Sequence, residues 1–231
     1  MGSEMCIRDR FNWAGCIAKE LNINTIHNEA IGAGSNHRII RTTLAYVKRL
    51  TPAQRTKTLV VIGWTDPNRN ELYLDDKQTP PQWRKFNLTQ QFSTMEWQNI
   101  NPEFITRIDK FQELYAVDVH SYYASIAKFF EQSYMLAMTL ENLGIKYYFF
   151  NTFPIFWGLH EPEHTNTIMK FRQEIQDYHR LNVHPVGETF INCIGHNKEL
   201  TLPSDIHHPN VLGHALWASI ILAPLKETNS L

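Results

Sequence analysis

Thr58-Leu59-Val60-Val61-Ile62-Gly63 is a short apolar run with no alternation of polar residues. A strand with one wet face alternates apolar and polar side chains, so an unbroken run of this length reads as a strand covered on both faces. A second run of the same kind, Ile145-Lys146-Tyr147-Tyr148-Phe149-Phe150-Asn151, follows Gly144, a residue suited to ending a helix. Helical spacing surrounds both. Trp13, Ile17, Ala18 and Leu21 share one face between residues 12 and 21. Ile39, Ile40, Leu44 and Val47 form an inward stripe on a helix expected over His37 to Leu50, with Ser35 or Asn36 placed to cap it. A long helix is expected from Val117 to Leu143, others from about Asn166 to Leu181 and Val211 to Leu222. Further strands are expected at Asn22 to Ala30, around Thr25, Ile26 and His27, and near Glu188 to Cys193. Strands alternating with helices imply βαβ crossovers and a mostly parallel sheet, hence a three-layer α/β/α domain.

Residues 64 to 112 break this rhythm. Pro67, Pro80, Pro81 and Pro102 are interleaved there with Trp64, Trp83, Phe86, Phe92 and Trp97. The stretch reads as a partly structured insertion, its aromatic content favouring a packed lid. At the other end, Met1 to Arg10 has neither a signal-peptide core nor a strand-like run, and reads as a non-native or disordered tail. A single domain is therefore expected over residues 11–231.

The bulk numbers bound the function. A 231-residue chain that is 43% hydrophobic can bury a substantial core, and a formal net charge of -1 gives no whole-chain case for nucleic acid or an anionic membrane. No apolar run approaches the roughly 20 residues of a membrane span. Together with the lack of a signal peptide, this suggests a soluble protein, cytoplasmic or virion-associated. Cys6, Cys16 and Cys193 are odd in number and widely spaced, which suits neither a disulfide framework nor a metal clip.

The chemistry-bearing stretch is Asp205-Ile206-His207-His208-Pro209-Asn210, followed by Gly213-His214 and an apolar helix. It places a carboxylate three residues before an imidazole on what reads as one short turn. Together with Asn28 to Asn36 (HNEAIGAGSN from His27), Val61-Ile62-Gly63-Trp64-Thr65-Asp66 and the strand from Tyr147 to Asn151, in this order, it resembles the SGNH hydrolase family, the GDSL-type esterases and lipases, and is closest to the phage and environmental members. The resemblance runs from about Trp13 to Trp217. It implies a flavodoxin-like sheet ordered 2-1-3-4-5 and acyl transfer to water with no metal or organic cofactor. In that scheme His208 is the general base and Asp205 orients it. Gly32 or Gly34 donates a main-chain N–H to the oxyanion, Thr65 assists, and Asn36 lines the pocket. The substrate would be a small ester or an acylated carbohydrate.

Two positions depart from the family pattern. Thr65 stands where the third block carries an asparagine side chain as oxyanion donor. The first block, an apolar strand followed by Gly-Asp-Ser, has no counterpart, since Gly2-Ser3 lacks an apolar strand ahead of it. The resemblance thus implies a missing central first strand and a missing nucleophile, with the neighbouring strands near Ile26 and Val60 each short of a partner. An inactive fragment, less stable than its parent, is the expectation.

Rival readings attach to particular residues. A non-catalytic carbohydrate- or partner-binding module of the same fold suits a chain without the nucleophile. His160-Glu161-Pro162-Glu163-His164 matches the zinc-peptidase motif by letter, but that motif needs a helix and Pro162 interrupts one. A metal site from Asp205, His207, His208 and His214 is the other metallo-alternative. Blander readings make Asp205 a turn residue or helix cap, His214 a packing residue, Asn36, Arg38 and Arg41 solvated residues of a helix, and Trp83 and Trp97 covers of the core.

Overall fold

The computed structural model describes residues 12–31, 34–74, 82–87, 122–153, 189–195, 197–202 and 205–227, with isolated positions between 103 and 114. Its centre is β1 (Leu59–Trp64) paired in parallel with β4 (Lys146–Asn151), in a register from Leu59 opposite Lys146 to Trp64 opposite Asn151. These are the two runs that read as doubly covered strands. β4 is buried from Tyr147 onward, with only Lys146 exposed.

Each face of the pair is covered by helices. Ile62 and Trp64 of β1 and Tyr147 and Phe149 of β4 pack with α2 (Asn36–Val47) and α4 (Tyr122–Asn142), through Val47, Ile126, Phe129, Leu136 and Leu140. The alternate residues, Leu59, Val61, Tyr148 and Phe150, pack with α1 (Trp13–Glu20), α5 (Phe190–Ile194) and α6 (Val211–Glu227), through Ile17, Phe190, Ile194, Trp217 and Ile221. The described core is therefore helix on strand pair on helix. Gly144 ends α4 with φ 68, and the next amide, Ile145 N–H, donates back to Leu140 C=O. The chain reverses there into β4, as a left-handed glycine permits.

A short helix, α3 (Pro52–Arg55), is opened by a capping box in which Thr51 and Gln54 bond each other's main chain. The expected insertion holds an antiparallel hairpin, β2 (Arg69–Leu74) with β3 (Gln82–Asn87). Trp64 belongs to β1 rather than to the insertion and is 1% exposed. A second small hairpin pairs β5 (Thr201–Leu202) with β6 (Asp205–Pro209). No described helix is long and apolar enough to cross a membrane.

Four expectations are corrected. Residues 23–31 form no strand, and Ile23 and Ile26 are exposed. Isolated apolar residues among Asn, Thr, His and Glu bury too little surface to pin a strand without a neighbour. Leu44 faces outward, at 36% exposure, because Ile39, Ile40 and Val47 take the inner stripe. Residues 190–194 are helical instead of extended. Thr189 caps them by accepting a bond from Asn192 N–H, and Phe190 and Ile194 sit one turn apart on the buried side. Asp205 to Pro209 is an extended strand, not a turn, because its main chain is engaged by Thr201 and Leu202. The helix expected over 166–181 and the motif at 160–164 lie outside the described residues.

Candidate functional site

In an open parallel sheet, helices run back against the strands, so helix N-termini and strand C-termini gather at one end, where ligands bind. That end is well defined here. β1 exits at Trp64 and Thr65, and β4 exits at Asn151, Thr152 and Phe153. Thr152 N–H donates to Trp64 C=O at 2.8 Å, extending the ladder one residue past the strands.

The start of α2 is locked onto this end. Ser35, fully buried, caps the helix by accepting a bond from Arg38 N–H at 3.0 Å. The neighbouring Asn36 carboxamide clamps Thr65. Its Nδ2 donates to Thr65 C=O at 3.0 Å, and its Oδ1 accepts from Thr65 N–H at 2.9 Å. Thr65 Oγ1 is left buried with no hydrogen-bond partner among the described residues. Gly34 N–H donates to Ile31 C=O at 3.3 Å, so in this conformation it closes its own turn. Gly32 lies outside the described residues.

Three of the residues expected at a site, Gly34, Asn36 and Thr65, are thus brought together. Asn36 acts as a positioning residue, since both ends of its carboxamide are engaged by Thr65. Thr65 presents a hydroxyl that the described residues leave unused.

The carboxyl-terminal elements reach the same end. Ile191 N–H, in α5, donates to Thr152 C=O at 3.1 Å. The Phe190 ring lies 5.7 Å from that of His214 in the first turn of α6, and 5.3 Å from that of Trp217. His214 is 7% exposed, and neither ring nitrogen has a partner among the described residues. Burial pushes its pKa down to about 4, so the ring is neutral near pH 7.

Asn210 ties α6 to the β5 hairpin. Its Oδ1 caps the helix by accepting from Leu212 and Gly213 N–H, while its Nδ2 donates to Glu199 and Thr201 C=O. His208 is half-buried near the end of β6, just ahead of this hub. The side chains of Asp205 and His207 lie outside what is described. On the main chain, Asp205 and His208 stand three residues apart along a strand, a Cα separation of about 10 Å.

A family profile described as DUF6071, a family of unknown function, matches residues 3–223. The chain belongs to the DUF6071 family. The matched stretch takes in every described strand and all but the last turn of α6. No curated protein and no solved structure matches the chain. Membership in DUF6071 carries no activity with it, so the chemistry has to be argued from the residues at the strand ends.

Sequence reasoning missed several of those residues. Thr152 and Thr189 carry no motif, and their roles appear only once β4 and α5 are in register. Arg69 was hidden in the insertion. Its guanidinium lies over the Phe153 ring, with Cζ 4.6 Å from the centroid, at the exit of β4. Among the described residues, no group of three His, Cys, Asp or Glu side chains is gathered as a metal site requires.

Proposed function

We propose that this DUF6071 chain is the scaffold of a serine-type ester hydrolase of the SGNH kind. In this reading β1 and β4 are adjacent central strands of a larger flavodoxin-like sheet. The observation that carries the proposal is the Thr65 hydroxyl. It is buried, without a partner among the described residues, and held by Asn36 at the carboxyl end of a parallel strand, beside the Gly34–Ser35 entry to a helix. That is where a donor to a developing oxyanion belongs. A buried hydroxyl with no partner costs about 1–3 kcal/mol, a cost that a bond to a bound oxyanion would offset.

In the reaction His208 takes the proton of an attacking serine hydroxyl as the acyl–serine bond forms, and gives it to the leaving alcohol as the ester C–O bond breaks. The same imidazole then takes a proton from the water that attacks the acyl-serine and returns it to the serine oxygen. Asp205 orients the imidazole, Thr65 Oγ1 donates to the tetrahedral oxyanion, and Gly32 is the main-chain donor left for that role. Water then releases the acyl group. The serine itself is the part this sequence does not contain as a Gly-Asp-Ser block. The substrate class is a small carboxylic ester or an O-acetylated sugar.

The test assays this chain on short p-nitrophenyl esters, alone and with an apolar strand ending in Gly-Asp-Ser fused ahead of it. Turnover is expected where an upstream Gly-Asp-Ser is present. His208→Ala is expected to remove it with folding intact, while Thr65→Val lowers kcat and Thr65→Ser retains it. Unchanged turnover in His208→Ala would end the assignment.

A further inference from the structure

We propose that Arg69 is an anion-recognition residue at the carboxyl end of the strand pair, taking a carboxylate or phosphate carried by the ligand. The site is the one described above, so the inference rests on the reading that ligands bind at this end.

The placement comes from two short bonds. After β1 the chain turns at once, and Arg69 N–H donates to Asp66 C=O at 3.0 Å. Arg69, the first residue of β2, is thereby held one tight turn past the exit of β1. Phe153, under the guanidinium, follows Thr152, whose N–H is bonded to Trp64 C=O. The side chain therefore bridges the exits of both central strands.

The described residues give the guanidinium no counter-ion. Their carboxylate contacts are His27–Glu29, Arg38–Glu29 and Arg41–Glu71, and none involves Arg69. Of the two acids flanking it in sequence, Asp66 acts on it through its charge without an ion-pair contact, and Glu71 is paired with Arg41. Asp66 Oδ1 accepts from the main-chain N–H and the side-chain Nδ2 of Asn68. Glu71, two residues on along the same face of β2, holds Arg41 at 2.8 Å. Arg69 is half-buried, and its desolvation works against its charge while Asp66 only partly offsets this. The Phe153 ring attracts the cation but accepts none of its five N–H donors. A desolvated charge at the strand exits, with a carboxylate near it but none of the described ones bonded to it, is matched to a ligand oxyanion, which a guanidinium grips through two parallel bonds. Arg41 is the internal control, since the same residue type on the adjoining helix is neutralised within the protein.

The experiment measures the thermal midpoint and calorimetric binding of the wild-type chain with sodium phosphate or sodium succinate, against sodium chloride at equal ionic strength. A rise in midpoint with phosphate or succinate, but not with chloride, is expected. The anion giving the larger rise identifies the ligand chemistry. Arg69→Met is expected to weaken binding tenfold or more while leaving the anion-free midpoint at or above the wild-type value, because the variant removes a desolvated charge that Asp66 offsets only in part. Arg69→Lys keeps the charge, loses the fork, and is expected to bind at an intermediate level.

Equal binding by wild type and Arg69→Met, or no anion binding by wild type, overturns the proposal. So does failure of both variants to fold, which would make the arginine structural. Anion binding that depends on Arg69, with no ester turnover even when a Gly-Asp-Ser strand is supplied, would sink the hydrolase reading and leave this one standing. Turnover of esters with no preference for anionic ones, unchanged in Arg69→Met, would do the reverse.

Discussion

The two faces of the β1–β4 pair carry similar aromatic bulk but treat their polar atoms differently. On the α2/α4 face the Tyr147 hydroxyl donates to Glu141 Oε1 at 2.6 Å, and the Ser133 hydroxyl donates to Phe130 C=O within its own helix. Trp64 Nε1 is buried there without a partner among the described residues. The rest is mostly hydrocarbon, with Ile126, Ala137 and Leu140 of α4 and Phe149 of β4 at 0% exposure and no ionisable ring among them. On the α1/α5/α6 face both nitrogens of His214 and Nε1 of Trp217 are buried without partners among the described residues. Three shorter or later elements share that face, and Asn210 ties one of them, α6, to the β5 hairpin. The first face behaves as scaffold. The second buries an ionisable group at the end where a ligand would sit, and is the face that solution conditions can reach.

Phe149→Ala tests the scaffold most severely. Removing a fully buried ring between Trp64 and Tyr147 is expected to cost about 3–5 kcal/mol in urea unfolding at any pH between about 5 and 8. A loss under about 1 kcal/mol would show that this face is not the tightly packed one.

His214 tests the other face through pH. Its folded pKa of about 4 lies below the ordinary 6.5, so the unfolded chain takes up the proton first as pH falls. The stability from a neutral buried ring is complete above about pH 6.5 and is lost as the pH drops from there to about 4. At about 1.4 kcal/mol per unit, the loss is on the order of 3 kcal/mol. In His214→Phe, chemical unfolding across this window should lose that slope. The same slope in wild type and variant would place the titrating group elsewhere.

Much of this contrast was legible in the chain. The runs at 58–63 and 145–151 announced strands covered twice, because a short unbroken apolar stretch bounded by turn residues needs cover on both sides. The stripe at Ile39, Ile40 and Val47 placed α2. What was not legible depends on partners far away in sequence. Residues 22–30 look extended, yet a strand needs a neighbour and the described residues supply none. Asp205 to Pro209 looks like a turn because Pro and Asn follow, yet Thr201 and Leu202 pair with it. Of the candidate site, Gly34 and Thr65 were nameable only through the resemblance to the SGNH hydrolase blocks, and Asn36 read equally as a solvated helix residue. Arg69 was not nameable, because nothing local says that Phe153 will lie beneath it.

A smaller effect is expected at Gly213, where α6 crosses the loop before β5. A Cβ there would lie 2.4 Å from Leu200 C=O and 3.1 Å from Pro209 Cβ. The first neighbour is main chain and cannot rotate away, so Gly213→Ala forces the helix and hairpin apart at an expected cost of about 1–3 kcal/mol. The displacement should also open His214 to water, so its pH slope should flatten in this variant. A wild-type slope with lowered stability would separate the hairpin contact from the burial of the histidine.

The smallest expected change joins the scaffold to the site. Asn36→Ala removes two bonds, from 2.9 to 3.0 Å, that satisfy both main-chain groups of Thr65. About 1–2 kcal/mol is expected, because water can reach a strand exit and replace part of what is lost. The sharper measurement is local. Hydrogen exchange at the Thr65 amide should speed up by tenfold or more, while the Val61 and Ile62 amides inside β1 keep their protection. If all three accelerate together, the clamp is part of the global fold and the strand exit has no independent freedom. If only Thr65 responds, the hydroxyl beside it is held by a contact that can loosen without unfolding the sheet, as a donor that must meet a moving substrate requires.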